Sequence, residues 1–369
     1  MTQEPSDPPS ALPPLFTVAI FGAGLTGFAF ITIGVASQVA NIAFGLWFAE
    51  VFVFFGVPYL VMRLSGYEAF RTAGVSRPWL AGALFGLAVG VVNFFALVVP
   101  LQILSQALAP KALIEMFDVS GIFKQQTPVE LFGVVTGVCL AAPFCEEFFF
   151  RGLMQRGAVS TLGTRRALIV TAVVFSAFHL DPVGFLARAE LGLVFGILAI
   201  RSGSIWPGVF AHLANNSISV AIYFATRSSE VDDELPGWAP VVMVVVGVAL
   251  LFALARLAAA VPSILTAPFR AEDTMRRVKS IPTLLVGWVL AGLLAFAALV
   301  TVDGPGVRLN VADALAPLKE PKKGESEEWR KSWDALYALR KEVRRGSAKL
   351  QEYEAARRAA IADRKTKAK

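Results

Sequence analysis

Residues 143–151, with the sequence PFCEEFFFR, decide how the rest of the chain is interpreted. Two adjacent carboxylates, Glu146 and Glu147, and the guanidinium group of Arg151 lie in a segment that is otherwise apolar enough to cross a membrane. An ionisable side chain at the centre of a bilayer costs about 3 kcal/mol or more, so such residues usually face the interior of a helix bundle and mark a functional site. Their clustering predicts a polar site inside a membrane domain.

The composition supports a membrane protein. Of the 369 residues, 56% are hydrophobic and 17% are charged, and the mean hydropathy is +0.62. These values exclude a single soluble domain and predict an all-α, polytopic transmembrane helix bundle of about eight or nine spans. Residues 1–14 would form an N-terminal tail and residues 15–302 the transmembrane domain. The predicted spans, in order, are 15–35, 43–62, 79–104, 134–158, 167–180, 183–200, 205–225, 240–260 and 282–302.

The loops between these spans differ in charge. Basic segments at 63–77, 151–166, 201 and 270–279 alternate with neutral or acidic segments at 105–128 and 227–237. Because Lys and Arg accumulate in cytoplasmic loops, this alternation predicts that the basic loops and the N-terminus are cytoplasmic. With nine spans, the C-terminal tail would lie on the opposite side.

The chain changes character after residue 302. We expect a linker at 303–324, which is rich in Pro, Lys and Gly, and a basic helical tail at 325–369. The net charge of +6 comes entirely from residues 303–369, which favours contact with anionic membrane lipid and argues against a nucleic-acid partner. Apolar residues recur every seven positions, which fits a coiled coil, a helix on lipid headgroups or a solvated charged helix; they are Trp329, Leu336, Val343 and Leu350.

The spacing of the charged residues suggests separate roles. Glu147 and Arg151 are four residues apart, so they can pair on one helix face, either as a structural salt bridge or in support of chemistry. Glu146 is rotated by about 100° from Glu147 and can face another helix. A carboxylate in an apolar cavity is suited to general acid or base catalysis.

Both histidines of the chain lie in predicted spans. Phe175 and His179 are four residues apart, as are His212 and Asn216. An imidazole and a carboxamide on one face can stabilise a developing oxyanion, or they can serve as hydrogen bonds between helices. Counted from the basic ends of their spans, Glu146 and His179 lie at similar depth, roughly 18–20 Å at 1.5 Å per residue. Glu50 stays open as a possible cavity residue.

Other functional motifs are missing from the sequence. No HExxH, GxSxG, Walker loop or dinucleotide fingerprint occurs. Two histidines and one glutamate could bind zinc, but they come from three separate spans, so their spacing does not favour a metal site. We therefore expect no cofactor. Arg188 and Glu190, near one end of the sixth span, are expected to extend their charged groups towards the membrane surface.

Three motifs together resemble those of the CPBP family, the CAAX-protease and bacteriocin-processing membrane proteins. Glu146-Glu147-x-x-x-Arg151 is similar to its EExxxR motif, Phe175-x-x-x-His179 to its FxxxH motif and His212-x-x-x-Asn216 to its HxxxN motif. The resemblance covers about residues 80–225, and the last two spans and the tail lie outside it.

The resemblance implies a glutamate-dependent, metal-free intramembrane endopeptidase of a bacterial cytoplasmic (inner) membrane. Glu146 and His179 would activate water, His212 and Asn216 would hold the oxyanion, and Glu147 and Arg151 would orient Glu146. Family members act on prenylated CAAX tails, on peptides or in bacterial secretion and immunity, so the expected partner is a protein or peptide substrate, either lipidated or not. The oligomeric state stays open. The alternative is a non-enzymatic membrane protein, either a transporter or an immunity-type binder.

Overall fold

The computed structural model describes residues 14–75, 80–123, 127–227, 237–260, 281–315, 321, 326–345 and 348–367. Within these ranges the regular structure is helical and no strand occurs, which confirms the all-α prediction. The helices are α1 (Leu15–Ala40), α2 (Ile42–Leu64), α3 (Ala69–Ala73), α4 (Leu80–Leu108), α5 (Lys111–Met116), α6 (Pro128–Leu162), α7 (Thr164–Phe178), α8 (Phe185–Ser202), α9 (Trp206–Arg227), α10 (Ala239–Ala260), α11 (Ile281–Leu315), α12 (Glu327–Arg344) and α13 (Leu350–Lys367).

Six helices of the described ranges are long and apolar enough to cross a membrane, namely α1, α2, α4, α6, α10 and α11. On α10 and α11 only 6% of the most apolar window is buried, so these helices present apolar side chains around most of their circumference. A helix that is apolar all round and unburied in its own protein faces lipid. The chain is therefore an integral, multi-pass membrane protein.

The other three predicted spans correspond to α7, α8 and α9. α7 has 15 residues, which extend over about 22 Å, less than the ~30 Å of a hydrocarbon core. α8 carries Arg188, Glu190 and Arg201, and α9 carries His212 and two asparagines. Phe175 of the predicted site lies on α7, His179 directly follows α7, and His212 and Asn216 lie on α9. How many of these more polar helices cross the bilayer remains a prediction.

Two opposite faces of the bundle are defined by long-range contacts. On one face, Asn41 Nδ2 donates to Glu130 Oε1 and to Asp303 Oδ2, each at 3.4 Å. We call this the Asn41 face; it joins the start of α2, the start of α6 and the middle of α11. On the other face, the Trp206 indole donates to the Val75 carbonyl at 2.9 Å. Successive long helices therefore alternate in direction, as a membrane bundle requires.

The prediction of a linker at 303–324 is wrong for its first half, which is helical. Helix α11 continues to Leu315, interrupted only at Asp303, whose φ of −135° and ψ of 40° are not helical. Gly304 and Pro305 follow this break, and proline fits the first turn of a helix because that turn needs no amide donor. Asn310 then anchors the new helix by donating to the Ala40 carbonyl at 2.8 Å.

The heptad-spaced residues of the tail form an intramolecular hairpin. Helices α12 and α13 pack on each other and on the end of α11, and the cluster of buried apolar side chains contains Leu309, Leu336, Val343 and Tyr353. The hairpin is held to the Asn41 face by Arg344, which pairs with Glu130 and, at 2.6 Å, with Asp303. Burial disfavours the charge of Arg344, but its hydrogen bonds to the two carboxylates outweigh this and raise its pKa.

Replacing Arg344 by alanine should loosen the tail. Hydrogen bonds to charged groups contribute about 2 kcal/mol, so the α12 amides should exchange with solvent about thirtyfold faster. Hydrogen exchange read by mass spectrometry measures this. Lys331→Ala is the control, because the Lys331 ammonium lies 3.8 Å from Glu327 between side chains that are 77% and 86% exposed. Equal exchange in both variants would contradict the docking role.

Glycines bring α4 into backbone contact with α9. A Cβ atom on Gly86 would lie 2.1 Å from the Pro207 carbonyl oxygen, and one on Gly90 would lie 2.4 Å from the Ala211 carbonyl oxygen. Small residues spaced four apart allow such close approach between membrane helices. Since Ala211 precedes His212, this contact positions the helix that carries the second histidine.

Gly90→Ala should therefore push α9 away from α4. Overpacking of this kind costs about 1–3 kcal/mol, so we expect a lower unfolding midpoint together with reduced activity. Gly24→Ala is the matched control, because a Cβ atom on Gly24 of α1 meets nothing within 4 Å. Thermal unfolding of both variants in the same detergent compares them, and equal midpoints would argue against the close contact.

Candidate functional site

Helix α6 presents the opening motif from an irregular part of its length. Glu146 and Glu147 lie between two π-helical turns, Gly137–Ala141 and Phe148–Gln155. A π-helical turn widens the helix, shifts the hydrogen-bonding pattern and often occurs at functional sites. Glu146 is 18 residues from Pro128 and 16 from Leu162, which places it near the middle of α6.

Glu147 and Arg151 form the ion pair expected from their spacing. The Arg151 guanidinium donates to Glu147 Oε1 at 2.6 Å, and both side chains are at most 1% exposed. Arg151 also donates to the Gly192 carbonyl of α8 at 3.1 Å. A Cβ atom on Gly208 of α9 would lie 2.7 Å from Glu147 Oε2, so the absence of a side chain there makes room for the carboxylate. The pair thus links three helices.

Aromatic rings surround the guanidinium group of Arg151. Its central carbon lies 4.5 Å from the ring centroid of Phe175, 5.3 Å from that of Phe195 and 5.9 Å from that of Phe150. Cations are attracted to ring faces, more strongly where water is excluded. Phe175 is only 1% exposed, and its position explains how the second motif supports the first.

Glu146 has no dedicated cation in the described part of the chain. It is 8% exposed, and its Oε2 atom is inaccessible and has no hydrogen-bond partner among the described residues. Its carboxylate interacts favourably with His212 and Arg151 and unfavourably with Glu147. An unpartnered oxygen in a buried cluster is available for a substrate or water molecule.

His212 lies between Glu147 and the aromatic rings of Phe175 and Phe195. Its Nδ1 atom is 3.4 Å from Glu147 Oε1, and its ring stacks on Phe195 with centroids 5.0 Å apart and an angle of 24° between the planes. The Phe175 ring meets this ring edge-on, with the two centroids 5.9 Å apart. The geometry fixes the imidazole next to the ionised cluster.

His179 lies in a constrained turn. It follows the last residue of α7, and its Nδ1 atom is 2.9 Å from the Phe175 carbonyl oxygen. Because a carbonyl can only accept, Nδ1 carries the hydrogen and Nε2 of the neutral ring presents a lone pair. The next residue, Leu180, has a φ of +53°, a conformation that is uncommon outside glycine.

Asp181 fixes this turn, and sequence reasoning missed it. Its Oδ1 accepts from the backbone N–H groups of Val183 and Gly184 at 2.9 and 3.1 Å, and its Oδ2 pairs with Arg188 at 2.6 Å. This is an Asx turn ahead of α8, and aspartate is one of the usual sequence signals for such a turn.

The predicted extension of Arg188 and Glu190 towards the membrane surface is wrong. Arg188 turns back to Asp181, and Glu190 accepts a hydrogen bond from Asn93 of α4 at 3.0 Å. Both side chains are therefore half-buried and engaged by neighbouring residues of the bundle.

Asn216 donates to the backbone. Its Nδ2 atom lies 2.8 Å from the Val138 carbonyl oxygen, in the first π-helical turn of α6. Asn215 donates to Asn216 Oδ1 at 3.1 Å and thereby orients the amide. The amide nitrogen has a second hydrogen, which is not engaged by Val138. Asn216 is one helical turn from His212 and half-buried.

The described His, Cys, Asp and Glu side chains of the site do not form a metal-binding group. Among the residues that the structure describes, no group of three or more His, Cys, Asp and Glu side chains could hold a metal ion.

The site lies within a segment that matches a known family. Residues 128–218 match the family described as type II CAAX prenyl endopeptidase Rce1-like. The resemblance to CAAX proteases is confirmed there. All seven motif residues fall in this Rce1-like segment, which is about a quarter of the chain. The match supports a membrane protease.

A curated relative supports the same class. The Bacillus subtilis (strain 168) protein named "Putative membrane peptidase YdiL" is 28% identical over 81 residues, which are 22% of this chain and 33% of the relative. The match thus spans about a third of that protein's length. No solved structure gives a significant match.

Proposed function

We propose that the chain is a glutamate-dependent intramembrane endopeptidase. The observation that carries the proposal is the contrast between two adjacent carboxylates. Both have a buried Oε2 atom without a hydrogen-bond partner among the described residues, but Glu147 is neutralised by Arg151 at 2.6 Å, whereas Glu146 forms no ion pair with a described residue. Glu147 is therefore committed to its ion pair, whereas Glu146 can accept a proton from water.

In the proposed reaction, Glu146 accepts a proton from a water molecule as that water attacks the scissile carbonyl carbon. The neutral His179 presents Nε2 as a further acceptor for orienting the water. His212 and the second amide hydrogen of Asn216 would stabilise the tetrahedral oxyanion. Collapse of this intermediate breaks the C–N bond, and the proton held by Glu146 passes to the leaving amine.

The substrate class follows from where the site lies. Glu146 is near the middle of a 35-residue apolar helix, so a substrate must reach the site from the lipid phase or the membrane surface. We propose a membrane-associated protein C-terminus or sorting signal, either lipidated or not. The family description, which names CAAX prenyl endopeptidases, supports a prenylated C-terminus as the first substrate to test.

The test is a comparison of membrane-protein termini in cells that produce either the intact protein or Glu146→Gln. New C- and N-termini that depend on Glu146 would identify substrates and cleavage sites by mass spectrometry. Identical sets of termini in the two strains would dismiss proteolysis. That result would favour the non-enzymatic alternative, in which the buried charges bind an ion or a partner helix.

A further inference from the structure

A second buried carboxyl group lies against the site without a role in the reaction above. Glu50 is 6% exposed and belongs to the π-helical turn Ala49–Phe55 of α2. Its Oε2 atom is inaccessible and has no hydrogen-bond partner among the described residues. A buried polar atom left unpaired costs about 1–3 kcal/mol, so its presence calls for a physical reason.

The helices place Glu50 within about one helical turn of Glu146. α2 and α6 both start at the Asn41 face and run side by side in the same direction. The ring centroids of Phe54 and Phe150 lie 6.3 Å apart. Each glutamate precedes its phenylalanine by four residues, so each carboxyl group lies about one turn from this ring contact. The two carboxylates repel each other, and both repel charge on the Cys145 thiol.

Among the described residues, the nearby cations are already paired and leave these two carboxyl groups without a cation of their own. Arg151 is paired with Glu147, and Arg188 is paired with Asp181. The ionisable groups that act on Glu50 and Glu146 from the helices packed around them are Cys145, Glu147, Arg151, Arg188 and His212. Two neighbouring carboxyl groups in a site of low dielectric constant cannot both ionise at neutral pH and instead share one proton.

We propose that Glu50 is a positioning residue that holds this shared proton and donates a hydrogen bond to the Glu146 carboxylate. The donor orients one Glu146 oxygen and leaves the other free for water. The pair then carries a single negative charge, which suits a buried base. This inference rests on the proposed function in one respect, since it takes Glu146 as the group that accepts the proton from water.

Two replacements of Glu50 separate the donor from the side-chain volume. Glu50→Gln cannot ionise but keeps an N–H donor, whereas Glu50→Met has a similar shape and no donor. Loss of a hydrogen bond to a charged group is worth about 1.5–3 kcal/mol, so Glu50→Met should lower kcat about 10- to 150-fold. Glu50→Gln should retain most of the activity. KM should be unchanged in both variants.

The pH profile distinguishes positioning from packing. Without its donor, the Glu146 carboxylate is less stable, so the acid limb of the kcat profile of Glu50→Met should move to higher pH by about one to two units. In Glu50→Gln the acid limb should stay near its original position. An unchanged kcat and profile in Glu50→Met would overturn the proposal. So would equal losses in both variants with unshifted profiles.

Infrared spectroscopy tests the shared proton without any activity. In nanodiscs at neutral pH, the protonated carboxyl stretching band should be stronger in the intact protein than in Glu50→Gln. Glu327→Gln is the control, because that side chain is 86% exposed on the tail. No difference between the intact protein and Glu50→Gln would overturn the proposal. Full activity in Glu146→Gln would instead dismiss the proposed function. In that case the infrared comparison alone would show whether Glu50 and Glu146 share a proton.

Discussion

Glu146→Gln is expected to lower kcat for peptide cleavage by about three orders of magnitude while KM changes little. General base catalysis typically contributes a factor of about 100 to 10,000, and an amide cannot accept the proton from water. The fold should persist, because the side chains have the same shape and Glu146 Oε2 has no hydrogen bond to lose among the described residues.

The assay uses the purified protein in nanodiscs with a fluorogenic, farnesylated peptide. Glu190→Gln is the matched control, because Glu190 is also a membrane carboxyl group and its oxygen accepts from Asn93 at 3.0 Å, which an amide oxygen can do equally well. The control should cleave at the rate of the intact protein. Unchanged turnover in Glu146→Gln would rule out the proposed mechanism, and parallel loss in both variants would point to a general defect of the membrane domain.

The sequence predicted those features that depend on local spacing. Apolar runs located the long helices, and the four-residue step from Glu147 to Arg151 predicted their ion pair, which the structure shows at 2.6 Å. Local spacing also placed Phe175 beside His179, where the two rings lie 5.0 Å apart. A helix fixes such neighbours through its own periodicity, so no knowledge of the tertiary fold is needed.

Features that depend on the packing of separate helices could not be predicted in the same way. Glu50 precedes Glu146 by 96 residues, and only the parallel packing of α2 and α6 brings the two carboxyl groups within about one helical turn of each other. The tail is a similar case, because Arg344 meets Glu130 across 214 residues of sequence. The end of α11 was mistaken for a linker because Gly304 and Pro305 favour a break, whereas the structure places only Asp303 outside helical geometry.

Arg151→Met is expected to give the largest loss of stability in the membrane domain. It leaves Glu147 charged and 0% exposed without its cation, and breaking a buried ion pair in this way costs about 3–5 kcal/mol. The Gly192 carbonyl of α8 loses a donor in addition. Denaturant unfolding in mixed micelles, followed by tryptophan fluorescence, measures the free energy of unfolding.

A double-mutant cycle identifies the cause of that loss. Glu147→Gln alone should lower the free energy of unfolding less than Arg151→Met does. In that variant the guanidinium group keeps its contact with Phe175, whose ring centroid lies 4.5 Å from the central carbon, and its 3.1 Å hydrogen bond to the Gly192 carbonyl. The double variant Glu147→Gln/Arg151→Met buries no net charge at the pair, so it should recover most of the stability lost in Arg151→Met. Recovery of stability without recovery of cleavage would show that the pair also orients Glu146. A double variant as unstable as Arg151→Met would instead mean that the packing of Arg151 against its aromatic rings, rather than its charge, holds α6 to α8.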